Sequence, residues 1–555
     1  MERPETERKL QDLAERFRAA RLSRRELIQG AGLLVGGSAL ASFLAACGAP
    51  AETPAKAAAP QPTAAVAKDQ PKKGGILKAA IMAELPSVDP VYTTATLARN
   101  ISAHMLEGLF GRDKRFAPKP DLAAGYEASQ DAKTFTISLR KGVAFHNGKE
   151  MTSADVVASM KRWMAAGTRG KTIGARLDSI EAKGSDAVVF KFKQPTGQLL
   201  FFLAHPEAYI VPEEVANEAG KDQLKRYVGT GPFQFVEKVP DRYLRMKRFE
   251  SYAGRTEDPD GWVGRKTAYL EQIDFIPVPE DSVRADGVGT GEYHFGEQLT
   301  PDVYPNLKAN PQVEPVIAKP YQFNVVHFNK KQGMFTDVRM RKAIRAALDM
   351  TAPWKAAWGN EMFYRMSPSM GAPETVWYTE VAKESYNNPK PDEARALLKD
   401  AGYSGTPVRW LTTKEYAYNY TSTTVMKQEL EPFGVPVDMQ LTDWATLLSR
   451  RAKPELWDIF ITGHDAYVHP LIQPFMAASW PGWWESKEKD RLFDAIFAES
   501  DEKKSYALIE DLERLVATEC PYARIGEYFI LRGTRKDLKG FLPLADFVFW
   551  NCWLA

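Results

Sequence analysis

From Gly74 onward, apolar residues recur along the chain with two different periods, and each change of period marks a switch between strand and helix. Residues 76–82 read as a strand. Leu97, Ile101, Met105 and Leu109, spaced by four, predict a helix over 96–109. Thr134-Phe135-Thr136-Ile137-Ser138-Leu139 alternates with period two, the pattern of a half-buried strand. Thr152 or Ser153 is placed to cap the helix that follows. Further strands are predicted over 188–192 and 233–236, the latter entered through Gly229-Thr230-Gly231-Pro232, whose glycines are expected to supply φ > 0. Helices are predicted over 337–348 and 391–401, with Gly402 as the stop. Interleaved strands and helices of this kind predict a mixed α/β protein.

A length of 555 residues is more than one core needs, so several packed units are expected. Lys and Arg number 73 against 71 Asp and Glu, and residues 1–46 hold eight of the former and six of the latter, so the remainder is balanced. A balanced chain has no excess of cations for phosphates, and no nucleic-acid partner is expected.

The first 46 residues do not read as fold. Charged residues 1–25 give way to 28–46, which carry no charge but are interrupted by Gly and Ser, and the run closes on Leu44-Ala45-Ala46-Cys47. The pattern resembles an export signal with the twin arginines Arg24 and Arg25, ending in a bacterial lipobox whose Cys47 becomes a lipidated amino terminus. An uncleaved membrane helix is the alternative. Residues 49–73 hold nine Ala and five Pro and too little apolar surface to offset ordering, so 47–73 reads as a disordered tether. Its reach is roughly 25 to 30 Å as a coil and up to about 75 Å if extended. No later stretch approaches a membrane span, the longest apolar run being 199–204.

The ordered set Gly74-Gly75-Ile76-Leu77, Val88-Asp89-Pro90, Leu106-Glu107-Gly108-Leu109, the block from Thr134 to Gly148 continuing into Thr152-Ser153-Ala154-Asp155-Val156, Gly229-Thr230-Gly231-Pro232-Phe233, Met340-Arg341-Lys342-Ala343-Ile344 and Asp443-Trp444 resembles the family 5 extracellular solute-binding proteins. These are the oligopeptide-, dipeptide- and nickel-binding components of ABC importers. The resemblance covers 74–555 and implies a two-lobed periplasmic binding protein fold, type II and three-domain, with a central interlobe cleft. It places one lobe at 74–117, 205–318 and 527–555, an inserted domain at 118–204, and the second lobe at 319–526. It further implies a lipid-anchored, monomeric receptor outside the cytoplasmic membrane that captures a small molecule or peptide and delivers it to permease and ATPase subunits, without catalysis or cofactor.

In peptide-binding members an Asp four residues before a Pro holds the ligand amine. Here the fourth position before Pro470 is Ala466, and Asp465 lies one step earlier, where a slip in an extended segment would turn its carboxylate to the other side. Peptides therefore stand beside sugars and opine-like conjugates as substrates. His464 and His469 flank that Asp and raise a metal-chelate reading, although loop histidines are more often hydrogen-bonded. Tyr416, Tyr418 and Asn419, with Lys414 beside them, follow the predicted strand 408–412 in a loop that in peptide-binding members faces the ligand, and the resemblance implies the same here; Tyr467, Trp480 and Trp483 are further candidates for the cleft. Tyr92 is the candidate from the first lobe. His146 sits in the structural block and is expected to serve folding.

A secreted hydrolase is the rival class. No His-Glu-x-x-His or Gly-x-Ser-x-Gly occurs, and the Ser-x-x-Lys matches at Ser138 and Ser486 lack an accompanying Lys-Thr-Gly. Cys520 and Cys552 are expected to be buried thiols, with a disulfide as the alternative.

Overall fold

A computed structural model of the chain describes residues 70–555. Strands of the main sheet are numbered in chain order: β1 Ile76–Ile81, β2 Phe233–Val239, β3 Tyr243–Arg248, β4 Gln272–Pro277, β5 Phe295–Leu299, β6 Val313–Phe328, β7 Val408–Thr412, β8 Val437–Leu441, β9 Ile459–Asp465 and β10 Tyr522–Arg535. They lie in the order β8-β7-β9-β6-β10-β5-β1-β4-β3-β2, and the short segment Tyr364–Arg365 pairs with β10 off this path. Each half has its own parallel core, β4-β1-β5 in one and β8-β7-β9 in the other.

The middle of the sheet joins the two halves. β6 and β10, at 16 and 14 residues, are about twice as long as the other strands and run antiparallel from Val313↔Arg535 to His327↔Tyr522. β6 meets β9 only from Gln322 onward, and β10 meets β5 only near Leu531 to Thr534. One end of each long strand thus belongs to one lobe and the other end to its neighbour, with a register shift between Ala318 and Gln322 where the lobes part. β10 is buried along almost its whole length, as expected for a strand with structure on both faces.

Residues 123–192 form a separate antiparallel four-stranded sheet, in which Thr134–Leu139 alternates buried and less buried positions as its sequence predicts. The helix Ser153–Ala166 that follows is started by Thr152, whose N–H donates to the Asp155 carboxylate at 2.8 Å.

Two local expectations are corrected. The helix predicted over 96–109 ends at Ser102, although Leu97, Ile101, Met105 and Leu109 are all buried. His104 Nδ1 donates to the carbonyl of Asn100 at 3.0 Å, and its Nε2 accepts from the Phe549 N–H, so a side chain takes the carbonyl that the next helical turn would use. The glycines at 229 and 231 do not adopt positive φ. They are required instead because a Cβ at Gly229 would overlap the Met105 carbonyl, and one at Gly231 would come within 2.7 Å of the His104 carbonyl. Cys520 and Cys552 are buried free thiols. Among the described residues no helix is long and apolar enough to cross a membrane.

Candidate functional site

Two hollows open beside the long strands. The first, about 970 Å³, is walled on one side by Thr94–Thr96, Arg99, Thr168 and Arg169 and on the other by Gln322, Trp444, Arg451, His464, Asp465 and Trp480. The second, about 890 Å³, is lined by Tyr304, Tyr321, Trp358, Tyr418 and Tyr528. Tyr416 borders both. Volumes of this size suit a solute of several residues or sugar units.

Asp465 ends β9, opposite Gln322 of β6, and this register turns its carboxylate toward the first hollow. Its Oδ2 accepts from Arg99 Nη2 at 3.0 Å and its Oδ1 from Gln322 Nε2 at 3.0 Å. Arg99 lies on the helix Thr96–Ser102, whose Leu97 and Ile101 share a buried core with Leu77 and Ile81 of β1, and is held in place by the Thr94 carbonyl and the Thr96 hydroxyl. The acid expected to hold a ligand amine is therefore already paired with a cation of this chain.

His464 points from the same strand into a buried aromatic box. Its Nε2 lies 2.8 Å from Nε2 of His327, so one ring donates and the other accepts. Its ring centroid is 4.2 Å from that of Phe475, and Trp480 contacts both histidines. Burial first, and then the Arg451 guanidinium, holds His464 well below the usual histidine range; burial first, and then the facing His464 ring, does the same to His327, so the pair is neutral. His469 does not join it. It packs between Phe201 and Trp377, accepts the Leu471 N–H, and is lowered to about 3 by burial.

The other candidates separate into cleft and scaffold. Tyr416 packs edge-on against Trp444 at 4.9 Å, and Tyr418 lies beside the stacked pair Trp358 and Tyr528, in contact with both rings. Asn419 is fully buried: its Nδ2 donates to the Ile461 carbonyl and its Oδ1 accepts from the Thr412 hydroxyl, tying the helix Ala417–Leu430 to β7 and β9. Tyr467 is 1% exposed, stacks on Phe116 and donates to Asp546 at 3.0 Å. Trp483 stacks on Trp457 at 5.7 Å. Lys414 is exposed over the Tyr420 ring, and Tyr92 is 57% exposed on the turn after Asp89; neither borders either hollow. Asn419, Tyr467 and Trp483, candidates for the cleft on sequence, instead spend these contacts inside the protein. His146 accepts the Gly229 N–H and donates to the Gly231 carbonyl, bracing the turn. Cys47, Arg24 and Arg25 lie outside the described residues.

Sequence reasoning missed Arg99, Arg169, Arg451 and Gln322. Arg451 offered one signal: it lies two helical turns after Trp444 on the helix Trp444–Arg451, and its guanidinium stands over that ring.

The sequence profile of bacterial extracellular solute-binding proteins, family 5, matches residues 117–483. A probable peptide ABC transporter periplasmic-binding protein of Sinorhizobium fredii is 29% identical over 489 residues, covering 83% of this chain and 90% of the relative. The glutathione-binding protein GsiB of Salmonella choleraesuis is 25% identical over 488 residues, covering 84% and 92%. Among solved structures, the binding protein AgaA of A. tumefaciens R10 in complex with agropinic acid superposes with a TM-score of 0.72 at 22% identity, over 87% of this chain and 99% of that one. With the profile matching residues 117–483, well over half of the chain, this chain belongs to family 5 of the bacterial extracellular solute-binding proteins.

Proposed function

We propose that this protein is the solute receptor of an ABC importer, working outside the cytoplasmic membrane. It is exported under the Arg24-Arg25 signal, anchored by lipid on Cys47 and tethered by 47–73. A monomer, it takes a peptide, sugar or opine-like conjugate between the lobe at 74–117, 205–318 and 527–555, with its insertion at 118–204, and the lobe at 319–526, and hands it to permease and ATPase subunits. The single observation that carries the reading is a hollow of about 970 Å³ with walls from both lobes, beside the two strands that cross between them. A solute that touches both walls favours the closed arrangement, because only there are all its contacts made. Tyr416, which borders both hollows, and Trp480 supply the rigid aromatic faces suited to such solutes. The peptide and glutathione relatives and the agropinic acid complex support the same solute range.

Small-angle scattering and titration calorimetry across a library of peptides, sugars and opine-like acids test this reading. Saturable binding that compacts the particle is expected. A library in which no member compacts it would remove the proposal.

A further inference from the structure

We infer that the second hollow is a separate ligand site, across the hinge strands from the first, that takes a small organic cation, an ammonium or guanidinium on an apolar skeleton, and that its occupancy favours solute capture in the first hollow. The site goes beyond the receptor reading; only the coupling rests on it.

The path of the chain puts the two hollows on opposite faces of the main sheet. β7 leads through the helix Ala417–Leu430 to β8, and β8 leads through the helix Trp444–Arg451 back across β7 to β9. These strands are parallel, and right-handed crossovers that run in opposite directions lay their helices on opposite faces. The other half follows the same rule. The chain from β1 to β2 carries the helix Thr96–Ser102, and the chain from β4 back across β1 to β5 carries the helix Asp281–Thr290. The first hollow draws on Thr96–Ser102 and Trp444–Arg451, and the second on Asp281–Thr290 and Ala417–Leu430. β6 and β10 run between them, and Tyr416, just past the end of β7 where the two faces meet, is the residue they share.

The lining of the second hollow suits a cation. Trp358 stacks on Tyr528 with ring centres 4.4 Å apart, Tyr418 and Tyr321 each pack beside Tyr528 at 5.5 Å, and Tyr304 meets Phe363 edge-on at 5.5 Å. Aromatic faces attract cations through the ring quadrupole, and several rings around one space hold an organic ammonium. The chain already makes this contact at the border of the hollow, where Lys319 Nζ and the Arg365 guanidinium carbon lie 5.6 and 5.3 Å from the centre of the Phe529 ring. The carboxylates of Glu280, Asp281, Asp302 and Glu415 also line the hollow, against the single cation Arg284. Arg284 spends its guanidinium on the carbonyls of Val278, Pro279, Glu297 and Gln298. Asp281 accepts the Thr300 hydroxyl at 2.7 Å and Glu415 the Trp444 N–H at 2.9 Å. Glu280 and Asp302 are exposed, and among the described residues none of the four acids forms an ion pair. A cation therefore gains both ring faces and carboxylates here, whereas an anion meets four charges of its own sign.

The coupling follows from the strands between the hollows. Arg99 reaches Asp465 at 3.0 Å, so the first hollow is drawn together in the arrangement that gives the second its volume of about 890 Å³. A cation that touches Tyr304 on one wall and Trp358 on the other holds that arrangement. A solute that closes the first hollow holds it too, so each raises the affinity for the other.

The test titrates the full chain in mild detergent with three probes that share an indole ring: tryptamine, N-acetyltryptamine and indole-3-acetate. Tryptamine should bind at least tenfold tighter than either twin in calorimetry, and more weakly as salt rises. The double variant Glu280→Gln, Asp302→Asn, changed only at exposed positions, should lower tryptamine affinity at least fivefold and leave that of N-acetyltryptamine within twofold. Trp358→Leu should weaken tryptamine at least tenfold. Equal binding of the three probes, or an unchanged tryptamine affinity in the double variant, would overturn the site. With tryptamine saturating, a solute that compacts the particle should bind at least threefold tighter. Unchanged binding, or the weaker binding of two ligands competing for one cleft, would overturn the coupling. Failure of every solute to compact the particle would remove the receptor reading and the coupling with it, while selective tryptamine binding would still uphold the site.

Discussion

Arg99 and Asp465, 366 residues apart in the chain, meet across the cleft with Nη2 and Oδ2 3.0 Å apart and both side chains largely buried. A buried ion pair of this kind contributes mainly through what its removal leaves behind. Arg99→Gln or Asp465→Asn should each destabilise the protein by about 3 to 5 kcal/mol, because the surviving charge stays buried with its direct partner gone. Chemical denaturation measures the loss, and the double variant should be less destabilised than the sum of the singles. Scattering without ligand should also show a more open particle, since the pair links the two walls.

The buried histidine pair sets a pH dependence. His327 and His464 are held well below the usual range, chiefly by burial, so the folded pKa lies beneath the unfolded value of about 6.5. As the pH falls, the unfolded chain takes up these protons first. The stability they contribute is complete above about pH 6.5 and is lost below it, at up to about 1.4 kcal/mol per pH unit for each histidine. Denaturation midpoints between pH 5 and 8 should show this fall on the acid side, and His327→Gln should make it shallower.

Tyr467 is expected to act in the scaffold. Its hydroxyl donates to Asp546, whose other oxygen takes Arg112 at 2.7 Å. Tyr467→Phe should cost about 1.5 to 3 kcal/mol of stability, the range for a hydrogen bond to a charged group. Solute affinity should be unchanged within about twofold if Tyr467 stands outside the binding surface.

Asn419 and Tyr416 should behave oppositely despite their closeness in sequence. Asn419→Ala removes two buried hydrogen bonds and leaves the Ile461 carbonyl unpaired, an expected loss of about 2 to 4 kcal/mol. Tyr416→Ala should leave stability nearly intact and weaken solute binding at least tenfold in calorimetry.

The proposed lipid anchor predicts that Cys47→Ser releases the protein from the membrane fraction, since an anchor of that kind depends on its acyl chains. Retention of the variant in washed membranes would favour an uncleaved helix at 28–46.

Short-range pattern was enough for most of the framework. Period-two alternation over Thr134–Leu139, the strand Val408–Thr412 and the helix Pro391–Asp400 ending before Gly402 all follow from which side chains a single element must bury. The ordered motifs carried the family for the same reason, being turns, caps and strand edges with local requirements. The cleft obeyed a different rule. Asp465 finds its partners because β9 pairs with β6 in a register that sets it opposite Gln322, and because the other lobe brings up Arg99. Asn419 looks like a loop ligand in sequence, yet it is drawn inside to satisfy Thr412 and Ile461. Arg169 and Arg451 become neighbours of one hollow only after two separate helices have docked. Local periodicity determines what an element is, because it depends on residues within a few positions of each other. Which charges are cancelled and which are left facing a solute depends on distances between remote segments, and those are fixed only when the sheet closes its register and the lobes come together.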